Sequence, residues 1–172
     1  IKIYSDGILN MTTGAVFDPY RHVQLGDPLG LNYFEQPRLT RYITELEQVG
    51  FDFHIHTIGD RAAFEALNAI EDSQLANPTL PERRHRLTHL ELVAPTDVPR
   101  FEQLGVIADF QMSSEFVMPG NDGDLRALLG HQRVEERSLP LKDIWQTDAH
   151  LVLSSDYDVG SFSPFVGMQH AL

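Results

Sequence analysis

Residues 51–77 read FDFHIHTIGDRAAFEALNAIEDSQLAN and change period part-way. The first seven alternate strictly. Phe51, Phe53 and Ile55 point to one side and Asp52, His54 and His56 to the other, which is the two-residue period of a strand. From Gly59-Asp60 onward Ala63, Leu67 and Ile70 recur at helical spacing, and the helix runs to Asn77 before Pro78 and Pro81 break it. A strand that leads straight into a helix is half of a parallel β-α-β crossover.

The same alternation extends in both directions. Residues 1–5 (IKIYS) alternate as a strand, and residues 6–36 form a long aperiodic segment rich in Gly and Pro. A helix then begins at Pro37, carries Leu39, Tyr42, Ile43 and Leu46 on one stripe, and ends at Gly50. Downstream, residues 85–92 (HRLTHLEL) and 106–111 (VIADFQ) read as strands, with a short helix between them capped by Thr96 and stopped at Gly105. Residues 112–123 read as a loop. Helical pieces follow at 124–129 and 139–147, the second capped by Ser138 with Leu141, Ile144 and Trp145 on its buried stripe. A last strand is expected at 150–155 (HLVLSS), and Ser163-Pro164 opens a final helix. The order is β-α five times over, which implies parallel strands joined by right-handed crossovers.

Length limits the architecture. A complete eight-stranded (β/α) barrel needs roughly 200 residues at minimum and about 250 typically, against 172 here. At about 31 residues per unit, five units need roughly 156. Five units of a barrel therefore fit, and an open parallel sheet is the competing architecture. The chain opens at Ile1 without a methionine and stops at Leu172 inside a helix, so a piece of a longer protein is expected.

Charge and composition exclude some functions. Thirteen basic residues against 25 acidic ones give a net charge of −12. Such a surface repels phosphate backbones and anionic lipid, so neither nucleic acid nor membrane is expected as a partner. There is no cysteine, which removes disulfides and thiolate metal sites. No apolar run approaches the roughly 18 residues of a membrane span. Location stays open, with the cytoplasm favoured. No G-x-S-x-G elbow supports a serine hydrolase.

In parallel α/β folds the chemistry collects at the carboxyl ends of strands. Strand one carries Lys2 and ends at Asp6. Strand two ends at His54 and His56, strand three at His89 and Glu91, strand four at Asp109 and Gln111, and strand five at Asp156. Imidazole and carboxylate donors suit zinc and similar divalent ions, and His56, His89 and Asp156 make the strongest set. Three protein ligands leave a position open for water, whose proton a nearby carboxylate can take. Each residue also has a plainer reading. A strand histidine can be a satisfied rim residue, a strand-terminal Asp can cap the next helix, and Lys2 can be a rim ion pair. His22, His85, His131, His150 and His170 are read as surface or local structural residues. Gly59-Asp60 resembles a phosphate-binding turn, but one glycine is weak support for it.

Four segments occur in a fixed order: Lys2–Gly7 (KIYSDG), His54–Ala62 (HIHTIGDRA), Arg84–His89 (RHRLTH) and Ser154–Pro164 (SSDYDVGSFSP). Together they resemble the amidohydrolase superfamily, in its amidohydrolase 3 branch with the N-substituted formamide deformylase-like proteins. The resemblance covers nearly the whole chain. It implies a (β/α)₈ metal hydrolase with a small β-sandwich built from both chain ends, acting on C–N bonds that are commonly amides. On that basis Lys2 is the carbamylated lysine that bridges two metals. His56 and His89 are the strand-five and strand-six ligands, and Asp156 is the strand-eight ligand and proton acceptor. His54, Asp6 and Gln111 are expected on the substrate side. The first-strand His-x-His of the family is not in this chain, and His54-Ile55-His56 is no substitute for it. Thr88, Gln111-Met112 and Tyr157-Asp158 depart from the family pattern, which puts substrate identity in doubt more than metal chemistry.

The expected protein is thus the C-terminal part of an amidohydrolase barrel domain, strands four to eight with their helices over 1–172, lacking the N-terminal strands and the β-sandwich. Its cofactor would be one or two divalent ions, zinc first, with iron or manganese as alternatives. Its partner would be a small amide-type substrate, and exposed sheet edges leave room for a homo-oligomer. Turnover is expected of the parent protein and not of this piece alone. The alternatives are a non-catalytic half-barrel that binds no metal, and an open-sheet phosphate or nucleotide binder at Gly59-Asp60.

Overall fold

The computed structural model describes residues 1–112 and 122–172. Along the chain run β1 (Lys2–Tyr4), α1 (Gln36–Glu47), β2 (His54–Thr57), α2 (Asp60–Ala76), β3 (Arg86–His89) and α3 (Val98–Gln103). They are followed by β4 (Ile107–Phe110), α4 (Asp122–Leu129), α5 (His131–Arg137), α6 (Leu141–Trp145), β5 (Leu151–Leu153) and α7 (Pro164–His170). The five strands form one parallel sheet in the order β1-β2-β3-β4-β5, each paired with its neighbour in sequence. A doubly wound sheet reverses its order at a switch point, whereas an arc of a (β/α) barrel does not. The fold is α/β with the topology of a partial barrel.

Strand alternation divides the sheet between two faces. Phe53, Ile55, Leu87, Ala108 and Phe110 are buried in the main core with Leu39 and Ile43 of α1, Leu67 and Ile70 of α2, and Val98 and Phe101 of α3. Each such side chain gains about 1.5–3 kcal/mol on full burial, so the helix-covered face holds the sheet together. The register sets Lys2 beside His54 and Arg86, and Tyr4 beside His56, Thr88 and Asp109, on the other, polar face. Phe51, expected beside Phe53, is 49% exposed, because β2 begins only at His54.

The long segment 6–36 is ordered around its own contacts. A second core joins its Leu9, Val16 and Tyr20 to Ile58, Leu92, Leu128, Leu129 and Val134. Asp6 pairs with Asn32 in an isolated bridge. The segment also lies hard against the start of α2, where a Cβ at Gly59 would collide with the Ala15 carbonyl.

Several expected boundaries shift for local reasons. β3 stops at His89 and not at residue 92, because His89 and Leu90 take left-handed φ values of 78° and 53°. Asp97, not Thr96, stands at the start of α3 and pairs with Arg100 at 3.0 Å. His131 opens α5, and Ser138, expected to cap the following helix, closes α5 instead, while Pro140 stands before α6. The five residues of α6 bury only Ile144 fully, and Trp145 is 68% exposed. Of the loop expected over 112–123, residues 113–121 lie outside the described residues, and the last two positions open α4. No helix among the described residues is long and apolar enough to cross a membrane.

Candidate metal centre

The carboxyl ends of β2 and β3 bring His56 and His89 together. Their ring centroids are 4.3 Å apart, inclined at 66°. Register pairs His56 with Thr88 and Thr57 with His89, so simple alternation would send His89 to the opposite face. The left-handed backbone at His89 turns its ring back toward His56. Strained φ values in non-glycine residues cluster at functional sites, and Asp156 shares this feature with a φ of 50°.

The surroundings of both imidazoles favour the neutral form. His56 is buried and lies 2.9 Å through Nε2 from the Gly7 carbonyl oxygen. A carbonyl only accepts, so Nε2 carries the hydrogen and Nδ1 keeps its lone pair. Burial lowers the pKa of His56, partly opposed by that hydrogen bond. His89 is pushed down to about 3, first by burial and then by the neighbouring His56 and Lys2, with Gln111 acting the other way. A neutral ring with its second N–H bonded to a carbonyl is the form in which histidine ligates metals.

Lys2 and Asp156 reach the same region without direct contact. Burial lowers the Lys2 amine below its ordinary range, partly offset by the charges of Asp156 and Asp109. Among the described residues no hydrogen bond or ion pair joins Asp156 to Lys2, His56 or His89. The Asp156 backbone carbonyl instead accepts from Val159 and Gly160. Asp6 is fully buried, and its carboxylate accepts N–H from Ala15 (2.9 Å), Ile58 (3.0 Å) and Gly59 (2.8 Å). An Asp6 oxygen is 3.8 Å from His56 Nε2. Burial raises Asp6 to about 7 against those three donors. Burial likewise raises Glu91 to about 7, with Asp6 adding to the shift.

A polar layer lies next to the histidine pair. Asp109, almost fully buried, is 3.3 Å from Arg86 and 3.8 Å from His54 Nε2. Gln111 Nε2 donates to Thr88 Oγ1 at 2.7 Å. Among the described residues His54 Nε2, Asp109 Oδ1 and Gln111 Oε1 are buried without a hydrogen-bond partner. Buried polar atoms are seldom left so without a functional or solvent partner. Tyr4, Arg86 and Thr88 lie on this face too; all three fall inside the quoted motifs, but none is among the residues expected in the site. Tyr4 stands two residues after Lys2, while Arg86 and Thr88 are tied to His54 and His56 only by the pairing of β2 with β3.

The donors fit part of a divalent-ion site: two neutral imidazoles, one with its tautomer set by a carbonyl. Among the described residues no group of three or more His, Cys, Asp or Glu is arranged to hold a metal. The phosphate site considered at Gly59-Asp60 is closed. Asp6 takes the Gly59 N–H, the Ala15 carbonyl takes those of Arg61 and Ala62, and Asp60 takes that of Phe17. A cavity of about 580 Å³ between residues 27–36 and α2 lies away from the histidine pair.

Comparison with known proteins places this geometry in context. A model of the amidohydrolase family matches residues 1–172. The Arabidopsis thaliana protein LONG AFTER FAR-RED 3 is 26% identical over 172 residues, covering the whole of this chain and 28% of its own length. The crystal structure of an uncharacterised metal-dependent hydrolase from Pyrococcus furiosus superposes with a TM-score of 0.83 at 23% identity, over 100% of this chain and 33% of that one. A second, from Pyrococcus horikoshii OT3, gives 0.82 at 25% identity, over 99% and 32%. The chain therefore spans about a third or less of each of these relatives. With the match running from the first residue to the last, the chain belongs to the amidohydrolase family.

Proposed function

We propose that β1–β5 are strands four to eight of a metal-dependent hydrolase that cleaves C–N bonds of amide type, with the rest of the barrel and a small β-sandwich supplied by the parent protein. The observation that carries this reading is the pair of imidazoles, His56 and His89, meeting 4.3 Å apart at adjacent strand ends.

In this reading His56, His89, Asp156 and a carbamylated Lys2 hold one or two divalent ions, zinc first. A divalent ion bound there supplies an activated water and polarises a carbonyl. The Asp156 carboxylate would take the proton of such a water and return it to the leaving nitrogen. Gln111 Oε1 and His54 Nε2, both buried without a partner among the described residues, offer hydrogen bonds to a small amide-type substrate. Asp6 acts from behind, through the backbone it anchors and through His56. The test is Asp156→Asn in the full-length protein. Turnover should be abolished with the fold intact, and undiminished hydrolysis would remove Asp156 from the mechanism.

A second reading rests on the absence, among the described residues, of a three-donor cluster: a non-catalytic arc that binds no metal. Elemental analysis separates the two. Stoichiometric zinc, iron or manganese in the full-length protein supports the hydrolase, and none at saturating metal supports the arc.

A further inference from the structure

We infer that Tyr4 is a positioning residue whose ring orients the His56 imidazole, an inference that rests on the metal-site reading above. Tyr4 is the register partner of His56 across β1 and β2. Its ring centroid is 5.0 Å from that of His56, tilted by 44°. Lys2, two residues earlier on the same face, has its Nζ 5.4 Å from the Tyr4 centroid.

Burial does not account for this placement. Tyr4 is 57% exposed and belongs to neither core cluster. Its ring contacts are to the two polar side chains that bracket the site. Aromatic rings with centroids about 4.5–7 Å apart and not stacked face to face attract one another through their quadrupoles, and the uncarbamylated Lys2 amine lies over the same Tyr4 ring. Carbamylation of Lys2 would remove its positive charge, so the contact that persists in a metal-loaded site is the one between Tyr4 and His56. With Gly7 holding Nε2 and Tyr4 packed on the ring, His56 is restrained from two sides, and Nδ1 is its remaining polar atom. The contact to His56 needs the aromatic ring and not the hydroxyl.

The test measures zinc affinity of the full-length protein by competition with a chelating dye, for wild type, Tyr4→Phe and Tyr4→Leu. Groups that orient a ligand change metal affinity by roughly 10–100-fold when lost. Tyr4→Leu should weaken zinc by that factor, and Tyr4→Phe should bind as wild type does. A side chain this exposed should leave the melting temperature nearly unchanged. If Tyr4→Leu does not fold, Tyr4→Met takes its place. Equal affinity in wild type and the leucine or methionine variant overturns the inference and leaves the metal site standing. Loss in Tyr4→Phe as large as in Tyr4→Leu also overturns it, since the hydroxyl would then be the active part. Absence of zinc binding by wild type overturns the metal-site reading, and the inference with it.

Discussion

Glu47 and His85 meet 3.2 Å apart at the amino-terminal side of the sheet, both buried, and Arg83 completes the pair at 2.8 Å from the same carboxylate oxygen. Asn77 and Ser73 donate to the remaining lone pairs, and His85 Nδ1 accepts the Phe53 N–H. This network lies before β2 and β3, at the opposite end of the strands from the histidine pair.

Its pH dependence follows from two shifts of like sign. Hydrogen bonds from Arg83, Asn77 and His85 outweigh burial and hold the Glu47 carboxyl below its ordinary range. Its stabilisation is present above the unfolded value and is lost as pH falls through the folded one. Burial also lowers His85, so the unfolded chain takes up that proton first and stability falls as pH drops below about 6.5. Glu47→Gln should cost about 3 kcal/mol at pH 7, and less at pH 4. Urea unfolding at the two pH values checks this, and an equal cost at both would refute it.

Asp6→Ala removes the acceptor of three buried N–H groups. At about 1–3 kcal/mol for each unsatisfied group, the loss should exceed 3 kcal/mol. Segment 6–36 should also become the first region cut in limited proteolysis. A variant as resistant as wild type would show that Asp6 does not anchor the segment.

Arg137 is 2.6 Å from the fully buried Asp60 and 3.1 Å from Asp18, tying α5 to the start of α2. Arg137→Met leaves the Asp60 charge without its cation and should destabilise by about 3–5 kcal/mol. Thermal unfolding of the variant, with Asp18→Asn as the control expected to cost far less, measures the difference.

Gly59→Ala places a methyl group against the Ala15 carbonyl, a backbone atom that cannot rotate away. Overpacking of this kind costs about 1–3 kcal/mol. Gly50→Ala, with open space around it but a φ of 90°, should also destabilise, in that case through backbone strain. Denaturation of both variants, compared with crystal structures of each, separates collision from strain.

Much of the architecture was legible in residue order. The alternation of Phe53 to His56 and the helical stripe Ala63, Leu67 and Ile70 are short-range signals, and both appear in the structure as read. The β-α order fixed parallel pairing, because a parallel partner requires a crossover. Donor types at strand ends were also legible, since they are single-residue facts. Less was legible where a local preference competes with packing. Trp145 looks apolar and is exposed, and α5 carries only Val134 as a buried residue in a mostly charged helix, too little for a periodic signal.

Residue order alone carried the strand and helix periods, the net charge and the family motifs. Each of these is read from residue identities and their order, with no knowledge of which distant residues touch. Strand register and backbone torsion did not follow from it. Tyr4 meets His56, and His89 turns back to His56 against its own alternation, because β1 and β2 pair at one register and because φ at His89 is positive. Those contacts link residues dozens of positions apart. They exist only once the helix-covered core has closed and set which strand atoms lie opposite one another.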